Sequence, residues 1–172
     1  YFADYMVEWL DEIEPEIRAN TYRGYSGNVG NHIVPYFYPR RIKIQELKVS
    51  DLEDFYKYLV FEKSKSDGSE PLSPTTITHI HRCISKALND AARKGIITVN
   101  VATLARKPHS VKFKSQYLNE RQVNELLKTV KDTPIEVPVT ICAVFGLRRG
   151  EVLGLKWKAV DMENRTITRS EE

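Results

Sequence analysis

The 172 residues carry 26 Lys and Arg against 23 Asp and Glu, a formal net charge of +3, and 41% of the side chains are hydrophobic. A chain of that length holds one or two small domains with modest cores, and it contains no apolar run long enough to span a membrane. Cys83 and Cys142 form neither a metal-ligand spacing nor a disulfide framework, and their apolar neighbours predict buried, reduced thiols.

The charge is unevenly spread. Residues 1–70 carry 9 Lys and Arg against 13 Asp and Glu, residues 71–115 carry 8 against 1, and residues 116–172 carry 9 against 9. A basic middle between acidic and neutral flanks is the layout expected of a protein that binds a polyanion.

The spacing of Phe2, Tyr5, Met6, Trp9, Leu10 and Ile13 predicts a helix over 2–13. Pro15 is placed to open a second helix running towards His32, with Ile17, Tyr22, Tyr25, Val29 and Ile33 available to a core; Gly24 and Gly27 allow a break. Two prolines and three aromatics between Val34 and Arg41 predict a packed connector rather than a helix, where Arg40, Arg41 and Lys43 meet either phosphate or solvent. Ser50-Asp-Leu-Glu53 has the form of a capping box and predicts a helix start, with Leu52, Phe55, Tyr56 and Leu59 on one face. Residues 63–71 are polar and predict an exposed loop.

Ser73 as N-cap, Pro74 at the first helical position and Gly95 as a stop delimit the next helix. Ile77, Ile80, Ile84, Ala87, Leu88 and Ala91 make its buried stripe. Thr75, His79, Arg82, Lys86 and Arg93 share the opposite face, with Thr76 beside them and little acid to neutralise them. That one-signed face predicts a nucleic-acid contact, the alternative being a solvated surface. His81 is expected to face partly inward as a packed histidine. A metal role for His79 and His81 is disfavoured, because positions two apart on a helix diverge.

Residues 100–104 predict a short helix. Arg106, Lys107, His109, Lys112 and Lys114 then lie in an acid-free stretch containing a proline, suited either to a tether along a phosphate backbone or to a solvated linker. Asn119 and Gln122 form a capping box for a helix carrying Val123, Leu126, Leu127 and Val130. The run from Val137 to Phe145 is nearly all apolar and predicts a buried helix. A short helix over about 150–155 and a hairpin within 161–169 complete the reading.

Between the last two helices stands Phe145-Gly-Leu-Arg-Arg-Gly-Glu-Val-Leu-Gly-Leu-Lys-Trp157. Two arginines between apolar segments need an anionic partner or an open cleft, unless they sit at a solvated turn. Gly146, Leu147, Arg148, Glu151, Val152, Leu155 and Trp157 resemble the segment around the first catalytic arginine of the tyrosine recombinases, the phage-integrase family. The wider chain is similar to integrases of phages and conjugative transposons, from Thr-Tyr-Arg-Gly-Tyr near its start to Asn164-Arg-Thr-Ile167.

The resemblance implies a mainly α fold: a helical SAM-like core-binding domain at 1–108, a basic linker at 109–116, and the N-terminal part of a mixed α/β tyrosine-recombinase catalytic domain at 117–172. It implies DNA contacts from Thr75, Thr76, His79, Arg82, Lys86 and Arg93 on one helix, from Thr21 and Arg23 on another, and from Lys112 and Lys114 in the linker. Arg148 becomes the arginine on the scissile phosphate, where a guanidinium neutralises charge developing on the non-bridging oxygens, and Glu151 braces it. No metal and no cofactor are implied.

In that family a hairpin lysine, a His-x-x-Arg, a further His or Trp and a nucleophilic tyrosine follow this arginine. Here the last tyrosine is Tyr117, and His79-Ile-His-Arg82 precedes Arg148. The expectation is a truncated fragment that binds a double-stranded recombination site without cleaving it. The full-length recombinase would act through a 3′-phosphotyrosyl intermediate as a homo-oligomer on DNA, with no membrane association, in the cytoplasm of a bacterium and encoded by a phage or mobile element. The alternative is a non-catalytic DNA-binding regulator that shares the integrase fold.

Overall fold

The computed structural model describes residues 1–62, 71–108 and 116–168. The chain divides into two compact units, Tyr1–Lys112 and Phe113–Glu172. Residues 63–70 of the expected loop, and His109, Lys112 and Lys114 of the expected linker, lie outside the described residues. Among the described residues no helix is long and apolar enough to cross a membrane.

The first unit is helical. Helix α1 (Phe2–Ile13) buries Phe2, Tyr5, Met6, Trp9, Leu10 and Ile13, the six positions its periodicity marks. Pro15 does not open the next helix: it lies in a 3₁₀ turn over Glu14–Glu16, after which Ile17 and Arg18 are extended. The chain is then helical from Ala19 to Phe37 in three pieces, α2 (Ala19–Asn28), a wide π turn over Val29–Ile33, and α3 (Val34–Phe37). This corrects the connector expected over 34–41. Pro35 lacks an N–H and its ring crowds the carbonyl four residues back, and the wide turn just ahead of it relaxes that conflict.

Helix α4 (Val49–Lys57) begins two residues earlier than the Ser50-Glu53 pattern predicts. The Lys48 amide donates to Asp51 Oδ2 at 2.8 Å, so Asp51 is the capping acid. Glu53 is left to accept from the Arg106 amide at 3.0 Å, tying residue 106 back to α4. Leu52, Phe55, Tyr56 and Leu59 are all buried. Phe37 and Phe55 meet at 5.0 Å between ring centroids and Phe2 and Phe37 at 4.9 Å, edge-on contacts that join α1, α3 and α4 and that contribute about 0.5–1.5 kcal/mol each beyond their burial.

Helix α5 (Pro74–Arg93) is the spine of this unit. The Ser73 hydroxyl accepts from the Thr76 amide at 3.2 Å. At the other end Gly95 takes φ +71°, its amide donates to Ala92 O at 3.1 Å and the Ile96 amide donates to Ala91 O at 2.9 Å, a Schellman stop. Ile77, Ile80, Ile84, Ala87, Leu88 and Ala91 are fully buried, each Ile or Leu side chain worth about 1.5–3 kcal/mol. Asn100 caps a 3₁₀ turn over Val101–Thr103 and, itself buried, donates to Ser85 O at 3.0 Å and Asn89 Oδ1 at 2.8 Å on α5. Cys83 is a free buried thiol, pushed up to about 12 by desolvation.

The second unit holds α6 (Glu120–Val130), α7 (Glu136–Phe145), α8 (Arg149–Leu153) and a hairpin pairing β1 (Val160–Asp161) with β2 (Thr166–Ile167). Asn119 and Gln122 cap α6 reciprocally at 2.9 Å each way. The apolar α7 is not buried as expected: Val137, Val144 and Phe145 are exposed and no residue of the helix is fully covered. It packs on α6 and α8 along one side, and its apolar composition exceeds what that side can cover. Cys142 is correspondingly half-buried rather than sealed. Gly146 ends α7 at φ +66°, a left-handed position that suits glycine.

Candidate nucleic-acid interface

The helical phase of α5 puts its polar stripe where expected, but the stripe is not uniformly basic. Thr75, His79, Arg82 and Arg93 are exposed and Lys86 is half-exposed. Thr76 is occupied at the helix start, its hydroxyl 2.9 Å from Ser73 Oγ. Towards the C-terminal end, Arg93 Nη2 donates to Asp90 Oδ1, and Lys86 Nζ lies 3.9 Å from Asp90 Oδ2. Two of the five stripe positions therefore share an acid, and the expectation of a face with little neutralising charge is corrected there. The spacing Lys86–Asp90–Arg93, four and then three residues, was a legible signal for this triad.

Asp90 is anchored from another helix. Trp9 Nε1 donates to Asp90 Oδ2 at 2.8 Å, and one turn away Tyr5 Oη donates to Ala87 O at 3.0 Å. Burial on its own would raise the Asp90 carboxyl. The hydrogen bonds from Trp9 and Arg93, with the charges of Lys86 and Arg93, outweigh it and hold the group below the usual carboxylate range.

Lys86, Asp90 and Arg93 line an open groove of about 730 Å³ together with Arg82, Ser85, Asn89 and Lys107. Lys107 thus joins the face of α5 from the segment that follows the Asn100 turn. Arg82 and Lys107 make no ion pair among the described residues, which leaves two cations available to a ligand. His81 lies at the groove wall, buried, with Nδ1 2.9 Å from Tyr56 Oη. Its imidazole is held below its usual pKa by burial first and then by the charges of Lys107 and Arg82, which favours the neutral ring. The His79–His81 pair is split between solvent and core, and among the described residues no three His, Cys, Asp or Glu side chains gather closely enough to hold a metal ion. Thr21 and Arg23 are exposed on α2, where Arg23 Nη1 donates to Asn20 Oδ1 at 3.2 Å.

In the second unit Arg148 precedes α8 as its N-cap residue rather than lying on the helix. Glu151 grips it twice: Oε2 accepts from the Arg148 amide at 2.9 Å and Oε1 from Nη1 at 3.3 Å. The Arg148 side chain remains 82% exposed while that of Glu151 is 24% exposed, so the acid holds one edge of the fork and leaves the rest open. Arg149 instead borders an apolar groove of about 500 Å³ with Leu126, Pro138, Cys142 and Val152.

Residues 1–60 match the family model described as phage integrase, N-terminal SAM-like domain. Over those residues the first unit is similar to an integrase SAM-like domain. The homologues of this integrase-like chain are integrases and a tyrosine recombinase. An integrase of Saccharopolyspora erythraea is 25% identical over 164 residues, covering 95% of this chain and 36% of the relative. The ICEBs1 integrase of Bacillus subtilis is 22% identical, covering 89% and 39% respectively. Among solved structures, the Tn1549 transposon integrase in complex with a circular intermediate DNA superposes with a TM-score of 0.72 at 19% identity, covering 98% of this chain and 52% of that one. Lambda integrase bound to DNA gives 0.62 at 17% identity, covering 91% and 52%. At such identities the structural likeness establishes a mainly helical integrase fold. The integrase-like chain spans about half the length of those solved chains and less of the relatives.

Proposed function

We propose that this chain is the DNA-binding part of a site-specific recombinase: a core-binding domain over 1–108, a basic linker over 109–116 and the first part of a catalytic domain over 117–172. The observation that carries the reading is the groove along α5, where Arg82 and Lys107 are exposed cations beside Ser85 and Asn89, a mixture of phosphate-binding charge and base-reading amide and hydroxyl groups. The DNA-bound state of the Tn1549 and lambda integrases supports the same partner here. Thr75, His79, Lys86 and Arg93 extend the contact along α5, Thr21 and Arg23 add a second helix, and Lys112 and Lys114 follow the backbone.

In the complete enzyme Arg148 would meet the scissile phosphate. Attack on a phosphodiester places charge on the non-bridging oxygens, and the open edge of the Arg148 fork can donate two parallel N–H bonds to it while Glu151 fixes the other edge. Strand exchange through a 3′-phosphotyrosyl intermediate, by a homo-oligomer assembled on duplex DNA, is the activity proposed for the whole protein. These 172 residues, with no tyrosine after Arg148, bind DNA without forming a covalent adduct.

The test is anisotropy of a labelled duplex at fixed salt. Arg82→Glu and Lys107→Glu each weaken binding roughly tenfold at ~0.1 M salt, while Lys57→Glu, on exposed α4 surface outside the groove, leaves it unchanged. Equal losses from all three would count against the groove.

A further inference from the structure

Asp90 is the single acid in the basic span 71–115, and it lies within the proposed DNA face. Its side chain is 9% exposed, whereas Lys86 is 42% and Arg93 77% exposed. The Trp9 indole fixes Oδ2 at 2.8 Å, so the carboxylate is held still while both cations are drawn onto it from the open groove. A carboxylate and a phosphate present the same feature to a guanidinium, paired acceptor oxygens carrying negative charge.

We infer that Asp90 is a specificity-determining residue of this face, an internal stand-in for a phosphate that occupies Lys86 and Arg93 and holds down sequence-independent binding to duplex DNA. The inference rests on the DNA-binding reading above. A backbone phosphate approaching Lys86 or Arg93 must share them with a fixed anion that also repels it. Arg82 and Lys107, which carry no such partner among the described residues, take phosphate at full charge. The effect is to lower the affinity that every duplex shares and leave the Ser85 and Asn89 contacts to discriminate between sequences.

Asp90→Asn tests this while keeping an acceptor for the Trp9 N–H. On a random-sequence duplex at ~0.1 M salt the variant binds roughly eightfold tighter, and its log–log salt slope steepens by about 0.9, one further phosphate. Glu46→Gln removes the same charge from an exposed acid paired with Lys43, and leaves the slope unchanged. Unchanged or weaker binding by Asp90→Asn, in a variant that still melts cooperatively above the assay temperature, overturns the inference.

Lys86→Gln/Arg93→Gln with Asp90 intact supplies a second reading that does not depend on the Asn variant folding. The slope falls by less than about 0.9, because these cations are already shared, and a fall of about 1.8 overturns the inference. A wild type with salt-dependent, Arg82-dependent binding and an inert Asp90→Asn sinks this inference alone. A wild type without salt-dependent binding sinks the DNA reading with it.

Discussion

Replacing Trp9 by Phe separates the core of the first unit from its groove. Trp9 is 1% exposed and its Nε1–H is the donor that reaches the Asp90 carboxylate across 81 residues of chain. Phe keeps an aromatic body but no donor, so Asp90 remains in place with one hydrogen bond fewer. Hydrogen bonds to charged groups are worth about 1.5–3 kcal/mol, and Asp90 is too well covered for water to replace the lost one cheaply. The smaller ring adds a packing loss of about 1 kcal/mol, well under the cost of truncating a buried Trp to Ala. The expected destabilisation is therefore about 2.5–4 kcal/mol, read as a lowered urea midpoint with unchanged slope. Asp90→Asn combined with Trp9→Phe costs less than the sum of the singles by about 1–2 kcal/mol, since both remove parts of one contact. A single-variant cost under about 0.5 kcal/mol, or additive behaviour in the double variant, would refute the claim that this bond couples α1 to α5.

Gly95→Ala meets open space but keeps φ at +71°, so its cost is backbone strain alone, about 1 kcal/mol, and thermal melts should drop by about 4–8 °C. Stability also depends on pH through His81. Its folded pKa lies below the usual 6.5, so the unfolded chain binds the extra proton first. The contribution is complete above pH ~6.5 and is lost as pH falls through the lower folded value. His81→Gln should flatten urea midpoints between pH 7 and 5, and an unchanged slope of stability with pH would count against the buried neutral ring. The depressed Asp90 carboxyl acts in a separate window, with its contribution present above the unfolded value near 3.8 and lost below it as pH falls through the folded one.

Much of the first unit was legible because its signals were local. The period of α1, and the Ser73, Pro74 and Gly95 punctuation of α5, fix both helices and their buried stripes without tertiary information. The π turn over Val29–Ile33 was not legible, since a proline at 35 reads as a break unless the widened turn before it is known. Asp51 displaced Glu53 as the cap of α4 because Glu53 has a partner 53 residues away in the Arg106 amide. The apolar composition of α7 suggested burial, but composition gives the surface a helix is able to cover and not the neighbours that cover it.

The same division holds at the candidate site. Helical phase alone placed Arg82 and Lys86 on one face, and the family resemblance paired Arg148 with Glu151, a pair that forms at a helix cap. Asp90 was overlooked as a neutraliser even though its spacing to Lys86 and Arg93 is helical. Its anchor, Trp9, lies on another element that only the fold brings near.

The central claim is that the groove of α5 engages the phosphates of duplex DNA, and the salt dependence of binding by the wild type and by Arg82→Glu/Lys86→Glu tests it most directly. The account predicts a log–log slope of roughly −4 to −7 for the wild type, about five to eight phosphates, and a clearly shallower slope for the double variant. Binding that ignores salt, or a double variant that retains the wild-type slope, would contradict it.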